Sequence, residues 1–186
     1  MLQREFTEEQ HMFREAYRKF LSVEIVPHME GWREAGCVDR DAFRRAGEQG
    51  FLMIWPDEKY GGMGEADFRF EQIIIEETNY ARAGDWFNSL HSRLVGPYLT
   101  RFGNEEQCQR LLPKCVSGES VLAIAMTEPD AGSDLAGTRS SAIEHDDHWV
   151  LNGSKRRRYR IAKNPGSRSR KIGDRQLRIL AESEVT

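Results

Sequence analysis

Apolar positions recur at three- and four-residue spacing through most of the first 118 residues, and this pattern predicts a helical region. Thr7-Glu8-Glu9-Gln10 reads as a capping box, and behind it Phe13, Ala16, Tyr17, Phe20 and Leu21 form one apolar helix face, with Pro27 expected to stop the helix. A second helix is predicted from Asp39 or Asp41, burying Ala42, Phe43 and Ala46 and ending at Gly50. The stretch Phe51 to Gly64 carries Pro56 and glycines at 61, 62 and 64, so it reads as a loop that needs turns. No Gly-Lys-Ser/Thr follows, which excludes a phosphate loop of that type. Helices are predicted again over Asp67 to Tyr80 and over Trp86 to Tyr98, the latter with Phe87, Leu90, Leu94 and Val95 inwards. A second capping box, Asn104 to Gln107, opens a helix through Leu112, with a kink or early end at Pro113 and a stop near Gly118.

The character then changes. Val121 to Met126 is a short apolar run bounded by the turn-rich segment Thr127 to Gly137, and it predicts a buried strand entering a tight loop. Thr138 to Glu144 favours strand, His145-Asp146-Asp147 a turn, Trp149 to Leu151 a further strand, and Asn152-Gly153 a hairpin turn. A third strand ought to follow. Instead Arg156 opens a segment with no alternation and almost no large apolar residue before Ile179-Leu180, a composition that favours disorder. The net charge of −3 divides unevenly, with −10 from Met1 to Lys155 and +7 from Arg156 onwards. Loss of pattern and charge balance at one point reads as a frameshift or an aberrant junction.

Composition narrows the function classes. With 39% hydrophobic and 31% charged residues, the chain is ordinary globular material for one domain, or one domain and part of another. No apolar run approaches the length needed to cross a bilayer, and acidic residues stand where a signal peptide would have its apolar core. Cys37, Cys108 and Cys115 have no metal-ligand spacing and cannot all pair, which fits a reducing, cytoplasmic setting. His145-Asp146-Asp147-His148 falls on a turn and reads as solvated rather than metal-binding, and His91 as packed in or beside a helix. The arginine-rich tail could contact phosphates, but an acidic folded part with no recognisable binding module argues against nucleic acid as the partner.

Four ordered motifs carry more. They are P-D-E-K-Y-G-G at Pro56 to Gly62, E-E-Q at Glu105 to Gln107, A-M-T-E-P-D-A-G-S-D at Ala125 to Asp134, and W-V-L-N-G-S-K at Trp149 to Lys155. Together they resemble the acyl-CoA dehydrogenases, with I-A-M-T-E-P and the Leu90-His91-Ser92 string closest to the long-chain type. The resemblance implies a mainly α fold: a helical N-terminal domain over 1–119, the first strands of an incomplete β-barrel domain over 120–155, and a non-family tail over 156–186. It implies FAD as cofactor, with Ile124, Ala125, Met126, Thr127, Gly132 and Ser133 as cofactor-binding positions. The backbone of the strand and the Thr127 hydroxyl would meet the flavin ring, and Ser133 would lie near the pyrophosphate and the acyl-CoA substrate. It further implies oxidation of an acyl thioester between its α and β carbons, electron-transfer flavoprotein as acceptor, and homo-oligomers. Asp130 replaces a common glycine and adds negative charge beside the phosphate-facing turn. No catalytic residue carries over, because the family's base belongs to a C-terminal domain, and Arg156-Arg157-Arg158 stands where a W-x-T/S segment is expected. Weak or no flavin binding by this chain alone is the expectation, and a non-catalytic helical interaction module is the alternative.

Overall fold

The computed structural model describes residues 5–146, 148–155 and 177–180, and these fall into two compact units, one reaching to Ala123 and the other starting at Ile124. Among the described residues no helix is long and apolar enough to cross a membrane.

The first unit is helical. Helix α1 (Glu8–Phe20) starts on the expected capping box: Thr7 Oγ1 accepts from the Gln10 N–H at 3.3 Å while Gln10 Oε1 accepts from the Thr7 N–H at 3.1 Å. Pro27 does not stop the helical path. A π-helical turn (Leu21–Ile25) widens the coil, a 3-10 turn (Val26–His28) absorbs the proline near its start, and α2 (Met29–Ala35) continues to Gly36. Changing the hydrogen-bond register around a proline avoids the missing N–H that would break a regular α-helix. Helix α3 (Arg40–Glu48) is capped by Asp39 and buries Ala42, Phe43 and Ala46, and Gly50 takes a positive φ of 73° just beyond it. Helix α4 (Phe68–Tyr80), capped by Asp67, packs on α1 through paired side chains. Arg14 donates to Glu77 at 2.8 Å and Glu76 at 2.7 Å, Arg18 donates to Glu77 at 2.7 Å, and the Tyr17 and Thr78 hydroxyls meet at 3.0 Å.

The predicted helix over Trp86 to Tyr98 is broken up. A 3-10 turn (Gly84–Trp86) ends at Phe87, whose φ is +53°; a π-helical segment (Leu90–Val95) then leads into α5 (Gly96–Phe102). A buried polar network accounts for the break. Asn88 Nδ2 donates to the Phe51 carbonyl at 3.1 Å, Ser92 Oγ donates to Asn88 Oδ1 at 2.7 Å, and the Met53 N–H donates to Ser92 Oγ at 3.2 Å. These bonds also hold Met53 at a φ of +43°. The wider turn directs His91 and Ser92 inwards, so Leu94 and Phe87 face outwards, against the sequence expectation. Helix α6 (Glu105–Val116) runs through Pro113 without ending there, and Gly118 follows at a φ of +77°. A Cβ at Gly118 would lie 2.2 Å from the Phe43 carbonyl oxygen, so only glycine fits this approach of the chain to α3.

Tyr17, Phe20, Leu21, Ile25, Phe43, Phe51 and Trp86 form the main core. Their rings meet at mixed edge and tilted angles, for example Phe43 and Trp86 with centroids 4.6 Å apart. Met53, Tyr60, Cys108, Leu112 and Cys115 make a second cluster.

In the second unit, β1 (Ser141–Glu144) and β2 (His148–Asn152) pair antiparallel, with Ser141 opposite Asn152 and Glu144 opposite Trp149. Asn152-Gly153 does not form a hairpin turn. The other neighbour of β2 is β3 (Leu177–Leu180), antiparallel with Leu151 opposite Leu177, so this part of the tail is a strand rather than disordered chain. Its Leu177, Ile179 and Leu180 supply the β-forming pattern that the arginine-rich stretch lacks. The remaining tail, with Arg156 to Arg158 and the proposed phosphate contacts, lies outside the described residues.

Candidate functional site

Val121 to Met126 does not form a strand. Val121 and Leu122 are half-buried against the two clusters of the first unit, whereas Ala123 to Met126 are exposed. A strand requires a ladder partner, and among the described residues none pairs with this segment. The backbone N–H groups of Ile124, Ala125, Met126 and Thr127 accordingly find no backbone acceptor among the described residues. The apolar side chains here are also uncovered, with Ile124 37% and Met126 41% exposed.

The segment is anchored at its start. His91 is fully buried; its Nδ1 accepts from the Leu122 N–H at 3.0 Å, which fixes the proton on Nε2, and that N–H donates to the Cys115 carbonyl at 3.0 Å. Burial pushes the imidazole down to about 4, so it is neutral across the physiological range. His91 thus packs within the π-helical segment, in line with the expectation that it lies in or beside a helix.

Beyond it, Thr127 is half-buried, and Gly132 and Ser133 are exposed. The turn between them is tight: the Glu128 N–H donates to the Ala131 carbonyl at 2.8 Å, and Leu135 N–H to the Ser133 carbonyl at 3.2 Å. Asp134 Oδ1 caps the short 3-10 turn Leu135–Gly137 by accepting from the Gly137 N–H at 3.3 Å. Asp130 lies 3.9 Å from the Arg139 guanidinium, both highly exposed, so the charge it adds to the turn is partly countered but weakly held.

Two residues here carry more structure than their letters in the motif suggest. Glu128 is only 6% exposed, and its carboxylate accepts from Lys155 Nζ at 2.8 Å, the Arg139 N–H at 2.8 Å and the Ser140 N–H at 3.0 Å. The Lys155 ammonium, with these N–H donors, holds the carboxyl down at about 2. A carboxylate so committed is no general base. No sequence signal singles the pair out, because Asp130 and Asp134 share the loop with Glu128 and three arginines follow Lys155.

Among the described residues, no three His, Cys, Asp or Glu side chains gather as a metal site; Asp147 of the expected turn is outside them. The described cysteines are all free thiols, and burial raises Cys115 to about 11, which makes it inert. Chemically, Ile124 to Ser133 offers neutral amides along an apolar edge, then a glycine–serine turn with exposed backbone. Such a set suits a planar heterocycle followed by an anionic group; the six expected positions lie on it as a run of four, Ile124 to Thr127, and the pair Gly132 and Ser133.

Comparison with known proteins places the helical unit in a family. Residues 7–119 match the family described as acyl-CoA dehydrogenase, N-terminal domain. The mitochondrial long-chain specific acyl-CoA dehydrogenase of Sus scrofa is 43% identical over 154 residues, which cover 83% of this chain and 36% of that protein. An acyl-CoA dehydrogenase from Geobacillus kaustophilus superposes with a TM-score of 0.77 at 46% identity, over 83% of this chain and 40% of that one. An acyl-CoA dehydrogenase from Bacillus anthracis, complexed with FAD, superposes at 0.70 with 31% identity, over 81% of this chain and 26% of that one. The chain thus spans about two fifths or less of the length of these relatives. With the family match extending across the helical unit, from the first capping box to the end of α6, the chain belongs to the acyl-CoA dehydrogenase family.

Proposed function

We propose that the chain carries one wall of a flavin and acyl-CoA site, and that the protein to which this wall belongs oxidises an acyl-CoA thioester between its α and β carbons with FAD as hydride acceptor. The observation that carries this reading is that the backbone N–H groups of Ile124 to Thr127 find no backbone acceptor among the described residues, beside uncovered Ile124 and Met126. Backbone amides and apolar side chains are rarely left open together, and a flavin edge would satisfy both. Thr127 would add a hydroxyl to the ring, while Gly132 and Ser133 would present backbone and hydroxyl to the pyrophosphate, with Ser133 also facing the thioester substrate. When bound, FAD supplies the hydride acceptor; the residues described here orient it and none of them serves as the base. Long-chain acyl groups are the favoured substrates on the resemblance of the Leu90-His91-Ser92 and I-A-M-T-E-P strings. Electron-transfer flavoprotein as acceptor, assembly into homo-oligomers and a cytoplasmic setting complete the reading.

The test is equilibrium binding of FAD and of riboflavin, followed by flavin fluorescence. Weak FAD binding is expected. Thr127→Ala should weaken both ligands by about threefold to tenfold, as for loss of a neutral hydrogen bond. Ser133→Ala should weaken FAD alone, because riboflavin lacks the pyrophosphate. Absence of binding at millimolar FAD, or wild-type affinity in both variants, would sink the reading.

A further inference from the structure

Glu128 and Lys155 have no contact role in that reading, yet they tie three separate points of the second unit together. The Glu128 carboxylate reaches the Arg139 and Ser140 N–H groups, which precede β1, and Lys155, which follows β2. Lys155 Nζ also donates to the Met126 carbonyl at 3.3 Å. The chain passes close enough to make this possible because residue 153 is glycine: at its φ of +146°, a Cβ would lie 2.1 Å from Ser140 Oγ and 2.7 Å from Ser140 Cα. An ion that is almost out of water must be paired and hydrogen-bonded, and here the pairing closes a ring around the loop.

We infer that Glu128 and Lys155 are positioning residues, a clasp that fixes the loop from Pro129 to Thr138 and so presents Gly132 and Ser133 in an anion-facing shape before a ligand binds. The role in cofactor binding rests on the flavin reading above. Lys155 acts through Glu128 and Met126 rather than as a cation for phosphate, since its ammonium is already held by two oxygens. Closing the loop in advance removes ordering that a ligand would otherwise have to impose.

Amide hydrogen exchange on the full chain without ligand tests the clasp. Glu128→Gln and Lys155→Met should each speed exchange at the Arg139 and Ser140 amides by about tenfold to a hundredfold, the range for losing a hydrogen bond to a charged group. Lys155→Arg, which keeps the charge, should remain near wild type. The Ile73 and Ile74 amides of α4 serve as control: if Glu128→Gln raises these too, the comparison of Lys155→Met with Lys155→Arg decides. Unchanged exchange at Arg139 and Ser140 in Glu128→Gln and Lys155→Met overturns the clasp. FAD and riboflavin titrations of the same variants follow, with FAD expected to weaken about tenfold and riboflavin less. A loosened loop with unchanged FAD affinity overturns the positioning role. Loosened exchange in a chain whose wild type binds no flavin removes the flavin reading while leaving the clasp in place.

Discussion

His91 makes the stability of the helical unit depend on pH in a way that a single substitution isolates. The ring is buried and neutral, accepting from Leu122 N–H and donating to the Cys115 carbonyl. Protonation would place a second N–H against the Leu122 donor and a charge in the core. In the unfolded chain the ring titrates at 6.5, whereas burial lowers it to about 4 in the fold. Between those values the unfolded state binds the extra proton, so stability is full above about 6.5 and falls as pH drops to about 4. At about 1.4 kcal/mol per pH unit, the full effect is about 3 kcal/mol. His91→Gln removes the titration while retaining a polar side chain, and should cost about 1–3 kcal/mol at pH 7 through poorer bonding of the two backbone partners. Urea unfolding followed by tryptophan fluorescence at pH 7, 6, 5 and 4 gives the comparison. Other titrating groups, including Glu71, whose burial raises its carboxyl, act in both proteins and cancel. The difference between wild type and variant should shrink by about 3 kcal/mol from pH 7 to pH 4. A difference that stays constant across that range would refute the buried neutral imidazole and the tautomer assigned to it.

Other consequences are simpler to measure in the same unfolding assay. Leu112→Ala, at a fully buried position of the second cluster, should cost about 2–5 kcal/mol. Gly118→Ala should cost about 1–3 kcal/mol or more, because the new Cβ meets the Phe43 carbonyl and the backbone is left-handed there. Glu77→Gln should cost about 1–3 kcal/mol by weakening the bonds from Arg14 and Arg18, and high salt should reduce the penalty.

How far the sequence reveals the fold depends on where the information lies. The capping boxes at Thr7 and Asn104 and the buried face of α3 are local features, and each is legible from spacing alone. The break at Phe87 is different, because what the chain does there is set by distant partners. Asn88 and Ser92 bond to the Phe51–Met53 backbone, and no periodicity in their own segment announces it. The apolar run Val121 to Met126 has the composition of a buried strand, but composition cannot supply a ladder partner, and the run stands open instead. That openness, confined to Ala123 to Met126, is the starting point of the proposed flavin contact at Ile124, Ala125 and Met126. Glu128 and Lys155 escaped for a related reason: their separation in sequence hides a 2.8 Å contact that only the fold brings about.

The central claim is that Ile124 to Ser133 is a flavin-facing wall. Titration of the isotope-labelled chain with FAD, followed by backbone amide chemical shifts, tests it most directly. The account predicts that the largest shifts fall on Ile124, Ala125, Met126, Thr127, Gly132 and Ser133, with α4 and its Ile73 and Ile74 amides unmoved. Shifts centred elsewhere, or none at millimolar FAD, would contradict it.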